Sequence, residues 1–222
     1  MPEWWTYTLS DFLLFSPRTY YRLIERHNAA VWPAPVLTLA LGVTIAALLR
    51  RPASLGSRAV AGVLAALWAW VGWAFVYRRY ATINWAAVYF ALLFAAEALL
   101  LAGIAVRGEV RFGWRRGAPG LLGAALFGVS LMVYPFFAPA LGRGWSRAEI
   151  FGVMPDPTAV ATLGLLLATE GPSRWPLLVA PVLWCALSGA TLWAMGSAEA
   201  WIVLVSAGLA IAVSVARGRR SP

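Results

Sequence analysis

Apolar residues in this sequence fall into long uncharged runs separated by short connections that carry arginine. The runs cover Asn28 to Leu49, Ala59 to Tyr77, Gly117 to Gly142, Trp175 to Ala198 and Ala200 to Ala216, while the run from Tyr80 to Val106 is interrupted only by Glu97. An α-helix needs about 20 mainly apolar residues to cross a hydrocarbon layer roughly 30 Å thick, whereas a buried strand is only about 4–8 residues long. The pattern predicts helical spans at 29–49, 58–77, 83–106, 119–141, 150–169, 175–195 and 199–216. The expected fold class is all-α, a polytopic transmembrane helix bundle of about seven spans. The fifth is the weakest, because its uncharged run is only Pro157 to Thr169 and follows Met154-Pro155-Asp156. It is either a full span broken at Pro155 and Pro157 or a half-helix that re-enters and turns back.

Three regions follow from this pattern: an N-terminal segment 1–28, a bundle 29–216 and a basic tail 217–222. Ser16-Pro17 is a helix start, with Ser as N-cap and Pro at the first helical position. Beyond it Tyr20, Leu23, Ile24, His27 and Val31 recur at helical spacing, with Arg18, Arg22, Glu25 and Arg26 elsewhere on the wheel. Such an amphipathic helix is expected to lie in the membrane interface. The preceding WWTYTLSDFLLF is amphipathic but too short to span. Within the bundle, Ala87-Ala91-Ala95, Gly120-Ala124-Gly128, Ala186-Ala190-Ala194 and Ser206-Ala210-Ser214 each put small residues four apart, as close helix packing in lipid requires.

Composition agrees with a bilayer environment. Of 222 residues 61% are hydrophobic and 12% charged, against roughly 45–50% and about 25% in a soluble domain. The 18 basic residues are all arginine and the formal charge is +9. In a soluble chain that would suggest nucleic acid. Here the arginines pair at the ends of apolar runs (Arg50 and Arg51, Arg78 and Arg79, Arg115 and Arg116, Arg219 and Arg220), where anionic headgroups are the expected partners and no nucleic acid is. Trp4, Trp5, Trp32, Trp85, Trp114, Trp145, Trp175 and Trp201 stand near span ends, as an aromatic belt requires. No basic start followed by a continuous apolar core marks a cleavable signal. Cytoplasmic connections carry the excess of arginine, which puts the C-terminal tail in the cytoplasm. The N-terminus is outside if all seven segments cross, and inside if the fifth re-enters.

Glu97 is the candidate intramembrane acid, because a carboxyl near the middle of the third span must face protein or water, or carry a proton. Either it serves proton-coupled transport or it is a hydrogen-bonded structural acid. Asp156, Pro157 and Thr158 form the candidate half-helix binding site. Asp156 is expected to cap the helix beginning at Pro157, whose N-terminus would present free N–H groups at membrane depth, as in transporters with broken helices. The plainer reading is a loop followed by a capped helix. Glu170 and Arg174 mark the exit of this segment. His27 and Cys185 are read as packing residues, and Pro135, Pro139 and Pro181 as helix bends. Without lysine a retinal Schiff base cannot form, and without a histidine in a span neither bis-histidine haem nor a serine–histidine dyad can. No catalytic residue, metal site or cofactor is expected.

The segments MPEWWTYTLSDFLLFSPRTYYRLIERHNAAVWPA and FGVMPDPTAVATLGLLL resemble an uncharacterised family of bacterial polytopic, tryptophan-rich inner-membrane proteins with no assigned activity. The resemblance implies a bacterial inner membrane and transfers no functional residue. The expected function is a small-solute or ion transporter or permease. The alternative is a non-catalytic structural or assembly subunit that meets a membrane-protein partner, and a lipid-acting enzyme comes third.

Overall fold

A computed structural model describes residues 13–50, 53–114, 116–170 and 174–218. The aromatic stretch before residue 13, Arg51, Arg115 and the tail beyond Gly218 lie outside the described residues, as do the side chains of Glu170 and Arg174. The fold is almost entirely helical. Helix α1 (Pro17–Ala30) begins where the sequence predicts, with Ser16 as N-cap accepting a hydrogen bond from the Thr19 amide and Pro17 in the first turn. Its inward face is Tyr20, Ile24 and His27. The chain then bends by 84° into α2 (Ala34–Leu48).

Helix α3 (Ser54–Val71) runs on through a π-helical stretch, Gly72–Tyr77, to the short turn Tyr80–Thr82. Helix α4 (Ala87–Arg107) packs against it. Helix α5 (Ala118–Gly128) passes through a second π-helical stretch, Val129–Val133, into α6 (Tyr134–Ala140). The slip of register there has a local cause. Pro135 has no N–H, and its ring would meet the carbonyl four residues back, so the ladder widens just before it. Helix α7 (Pro155–Leu167), α8 (Arg174–Ala194) and α9 (Ala200–Gly218) complete the bundle. A two-residue ladder pairs β1 (Arg111–Phe112) antiparallel with β2 (Thr169–Glu170).

Every residue of α7 is buried, and α3, α5, α8 and α9 surround it. The closest crossing is between α5 and α7. A Cβ placed on Gly123 would stand 2.5 Å from the Gly164 carbonyl oxygen, and one on Gly164 2.6 Å from that of Gly123. The expected α5 stripe Gly120-Ala124-Gly128 is therefore corrected to one through Gly123, because Gly128 meets nothing within 4 Å. On α8, Ala186 and Ala190 point outward, and Gly189 makes the approach to Val203 and Leu204 of α9. Ser206, Ala210 and Ser214 are buried as expected.

The two ends of the bundle are distinct. At one end, Trp114 N–H donates to the Leu49 carbonyl, Phe112 N–H to Ser57 Oγ, and Arg217 to the carbonyls of Leu167 and Thr169. At the other, Tyr21 reaches Ser197, Asn28 Nδ2 donates to the carbonyls of Ser146 and Ala148, and the Phe15, Tyr20 and Tyr80 rings meet. Helix α7 thus ends at the tail end. Its N-terminus lies deep inside, since Phe151 and Gly152 just ahead of it pack against Gly42 and Thr38 of α2 and Leu67 of α3. Gly152 has a φ of +74° and Thr38 Cβ only 2.9 Å from where a Cβ would stand, so glycine is required there.

Among the described residues, five helices are long and apolar enough to cross a membrane: Ser54–Thr82, Ala87–Arg107, Ala118–Ala140, Trp175–Ala194 and Ala200–Arg217. The bent pair α1 and α2 would make a sixth. The count falls short of seven for a physical reason: α7 has 13 residues, about 20 Å of helix at 1.5 Å per residue, against a layer of roughly 30 Å. The outer faces are apolar, with Leu99 74%, Leu121 73% and Val106 73% exposed. A surface so uniformly apolar is compatible with lipid contact and unlike that of a water-soluble monomer. Trp32, Trp85, Trp145, Trp175 and Trp201 are exposed at helix ends.

Candidate functional site

Two prolines open α7 without loss, because the first amides of a helix have no intrahelical acceptor. The N-cap position is Met154, which makes no side-chain cap, and Asp156 occupies the second helical position. This corrects the expectation that Asp156 caps the helix. Its carboxylate instead crosses to α8, where Trp184 Nε1–H donates to Oδ1 at 2.7 Å and Ser188 Oγ–H to Oδ2 at 2.8 Å. The two donors are four residues apart and share one helix face. Asp156 is fully buried. Two charge-assisted hydrogen bonds and the positive end of α7 compensate part of its desolvation.

The other two residues of the predicted site serve the backbone. Thr158 Oγ1 accepts from Gly152 N–H at 2.9 Å and donates to the Met154 carbonyl at 2.6 Å, tying the non-helical turn to the helix it precedes. The Pro157 carbonyl accepts a hydrogen bond from Ser130 in the π-helical stretch of the α5–α6 segment. A buried chain continues down α7, in which Thr162 donates to the Thr158 carbonyl and accepts from Trp68 Nε1–H.

Around Asp156 the fold assembles ionisable groups that sequence reasoning missed. The buried Glu199 forms an ion pair with the partly buried Arg143, Ser197 Oγ–H donates to Glu199 Oε2 at 2.8 Å, and the Arg143 guanidinium lies 4.1 Å from the centroid of the Tyr21 ring. Glu149, in the connection ahead of α7, is also buried. Burial pushes its carboxyl well above the ordinary range, the negative charges of Asp156 and Glu199 push the same way, and Arg143 opposes them. Glu149 Oε2 and the Tyr134 hydroxyl have no hydrogen-bond partner among the described residues. The arrangement holds more buried acid than base.

A small cavity of about 10 Å³ lies among Tyr20, Phe75, Tyr80, Phe90, Trp184 and Ser188, room for about one water. It touches the two side chains that hold Asp156. Glu97 is placed differently. It is fully buried on α4, neither carboxyl oxygen has a hydrogen-bond partner among the described residues, and none of the cavities described here is lined by it. Phe94, one turn before it on the same face, packs edge-on against Trp184 at 5.1 Å between ring centroids and lies 4.4 Å from the Trp68 ring. Glu97 and Asp156 are not brought together by any contact of the described residues. Among those residues no group of three or more His, Cys, Asp or Glu side chains could hold a metal ion.

The signal that could have found this site was thin. Trp184 and Ser188 sit at a helical spacing of four, but so do many pairs. Glu149 and Glu199 stand in connections, where a charge ordinarily meets water.

No curated protein and no solved structure matches the chain. A family model described as a family of unknown function (DUF6064) matches residues 18–221. With nearly its whole length matched, the chain belongs to the DUF6064 family.

Proposed function

We propose that this protein is a multi-pass permease of the bacterial inner membrane in which Asp156 takes up and releases a proton, alone or coupled to a small solute. The observation that carries the reading is the depth of the carboxyl: Asp156 stands at the N-terminus of a buried half-helix, beside a water-sized cavity lined by its two donors. Broken helices whose ends meet inside the bundle are how membrane carriers place a polar site away from lipid. On this reading the non-helical residues before Pro155 and the 13 residues of α7 together make one broken crossing. Seven segments then cross, and α1 lies in the interface. The end carrying Arg50, Arg58, Arg107, Arg111 and Arg217 holds the larger share of arginine and faces the cytoplasm, together with the C-terminus. Glu97 stands off this route and packs the α3–α4 face of the bundle.

The experiment is proton flux into vesicles. Purified protein is reconstituted with a pH-sensitive dye inside, an acid step is imposed outside, and a potassium ionophore compensates charge. The wild type is expected to acidify the lumen faster than protein-free vesicles do, Asp156→Asn to lose that excess, and Glu97→Gln to keep it. A wild type no faster than bare lipid, or an Asp156→Asn variant as fast as wild type, overturns the reading. The alternative, a non-catalytic subunit of a larger membrane complex, draws on the narrowness of the cavity beside Ser188. It requires no flux and stable co-purification with another membrane protein.

A further inference from the structure

Between α3 and α4 an open groove of about 420 Å³ has almost wholly apolar walls. Its lining combines small residues, Ala69, Gly72, Ala91, Ala95 and Ala98, with larger ones, among them Trp73, Val88 and Leu99. From Val88 to Leu99 it follows α4 for roughly 16 Å at 1.5 Å per residue, close to half of a hydrocarbon layer of about 30 Å. One end is marked by charge. Trp73 also lines a second pocket, of about 140 Å³, together with Arg78, Arg79 and His27, and the Arg78 guanidinium lies 5.5 Å from the centroid of the Trp73 ring. No ion pair among the described residues engages Arg78 or Arg79. His27, almost fully buried, lines the same pocket.

We propose that the groove and the arginine-lined pocket, which share Trp73 as a wall, together bind one anionic phospholipid, its acyl chain in the α3–α4 groove and its phosphate at Arg78 and Arg79, with the Trp73 indole at the junction. Length, polarity and charge agree on that occupant. The groove runs one leaflet deep, the apolar walls leave nothing for a polar solute, and two arginines stand where a headgroup phosphate would be. Arginine binds phosphate bidentately, and a tryptophan at the headgroup level presents an apolar body to the chain. The site rests on the membrane-spanning part of the proposed function and is independent of proton transfer at Asp156.

The test is native mass spectrometry of the delipidated full chain, titrated with palmitoyl-oleoyl-phosphatidylglycerol or the corresponding phosphatidylcholine. One phosphatidylglycerol is expected to stay bound at concentrations where phosphatidylcholine does not. The double variant Arg78→Gln/Arg79→Gln should weaken its retention about tenfold or more, since each headgroup contact is a sizeable fraction of the binding energy. Ala95→Phe fills the groove without touching the arginines and should weaken both lipids alike. Equal retention of the two lipids by the wild type, or unchanged phosphatidylglycerol binding in the double variant or in Ala95→Phe, overturns the proposal. So does a dimer that forms without lipid and is abolished by Ala95→Phe, because the groove would then hold a second copy of the chain. Wild-type melting temperatures in the variants exclude misfolding as the cause, and a proton-flux failure leaves these outcomes unaffected.

Discussion

Two buried acids at the α1 end meet different fates. Asp156 receives two donors from α8, whereas Glu149 keeps one oxygen without a partner and stands among like charges. Glu149 therefore favours its protonated form in the fold, with a value raised above the ordinary 4.5. A carboxyl raised on folding contributes stability that is fully present below its unfolded value and is lost as pH climbs through the folded one. The melting temperature of the detergent-solubilised protein is expected to fall as pH rises from about 5 to about 8, and Glu149→Gln, which cannot ionise, should flatten that slope. Parallel profiles for wild type and variant would remove Glu149 as its source. Glu97 stood out in the sequence because a charge within an apolar run is conspicuous, and Asp156 because it lies between two prolines just ahead of such a run. Glu149, Glu199 and Arg143 were not, since only the closing of α1 over two connections takes them out of water.

Helix α7 shows why length and hydropathy are incomplete guides at the level of the element. Its 13 residues are too few to span, yet all are buried, because four other helices, α3, α5, α8 and α9, supply the walls that lipid would otherwise provide. The start of α1 and the approximate positions of α3, α4, α5–α6, α8 and α9 followed from capping chemistry and run length. The two π-helical stretches did not, and neither did the α5–α7 contact, because a stripe of small residues recurs by chance where alanine abounds. Gly164 carries that contact. Gly164→Ala places a methyl against the Gly123 carbonyl oxygen and the Phe127 amide nitrogen, at 2.6 and 2.8 Å, which is backbone that cannot swing aside. A loss of about 1–3 kcal/mol is expected from such overpacking. Gly128→Ala, where no atom of another element lies within 4 Å, is the control and should leave the melting temperature unchanged or slightly raised. Equal effects of the two substitutions would contradict the crossing.

For the whole molecule, the arginine count and the contacts at the two ends lead to one orientation only if the segment holding α7 passes from the α1 end to the tail end. The sequence left two arrangements open because MPDP is as good a re-entrant hinge as a broken span. The broken crossing we propose draws its support from tertiary contacts: Arg217 hydrogen-bonds the carbonyls of Leu167 and Thr169, and the β1–β2 ladder fastens the same stretch to the connection after α4. The direct measurement is sided labelling of single cysteines, in a Cys185→Ala background, at Ser146 before α7 and at Trp175 after it. Both positions are exposed. In right-side-out membrane vesicles a membrane-impermeant maleimide is expected to modify Ser146→Cys from outside, and Trp175→Cys only after the vesicles are opened. Modification of both from the same side would contradict the broken crossing and the depth of Asp156 that depends on it.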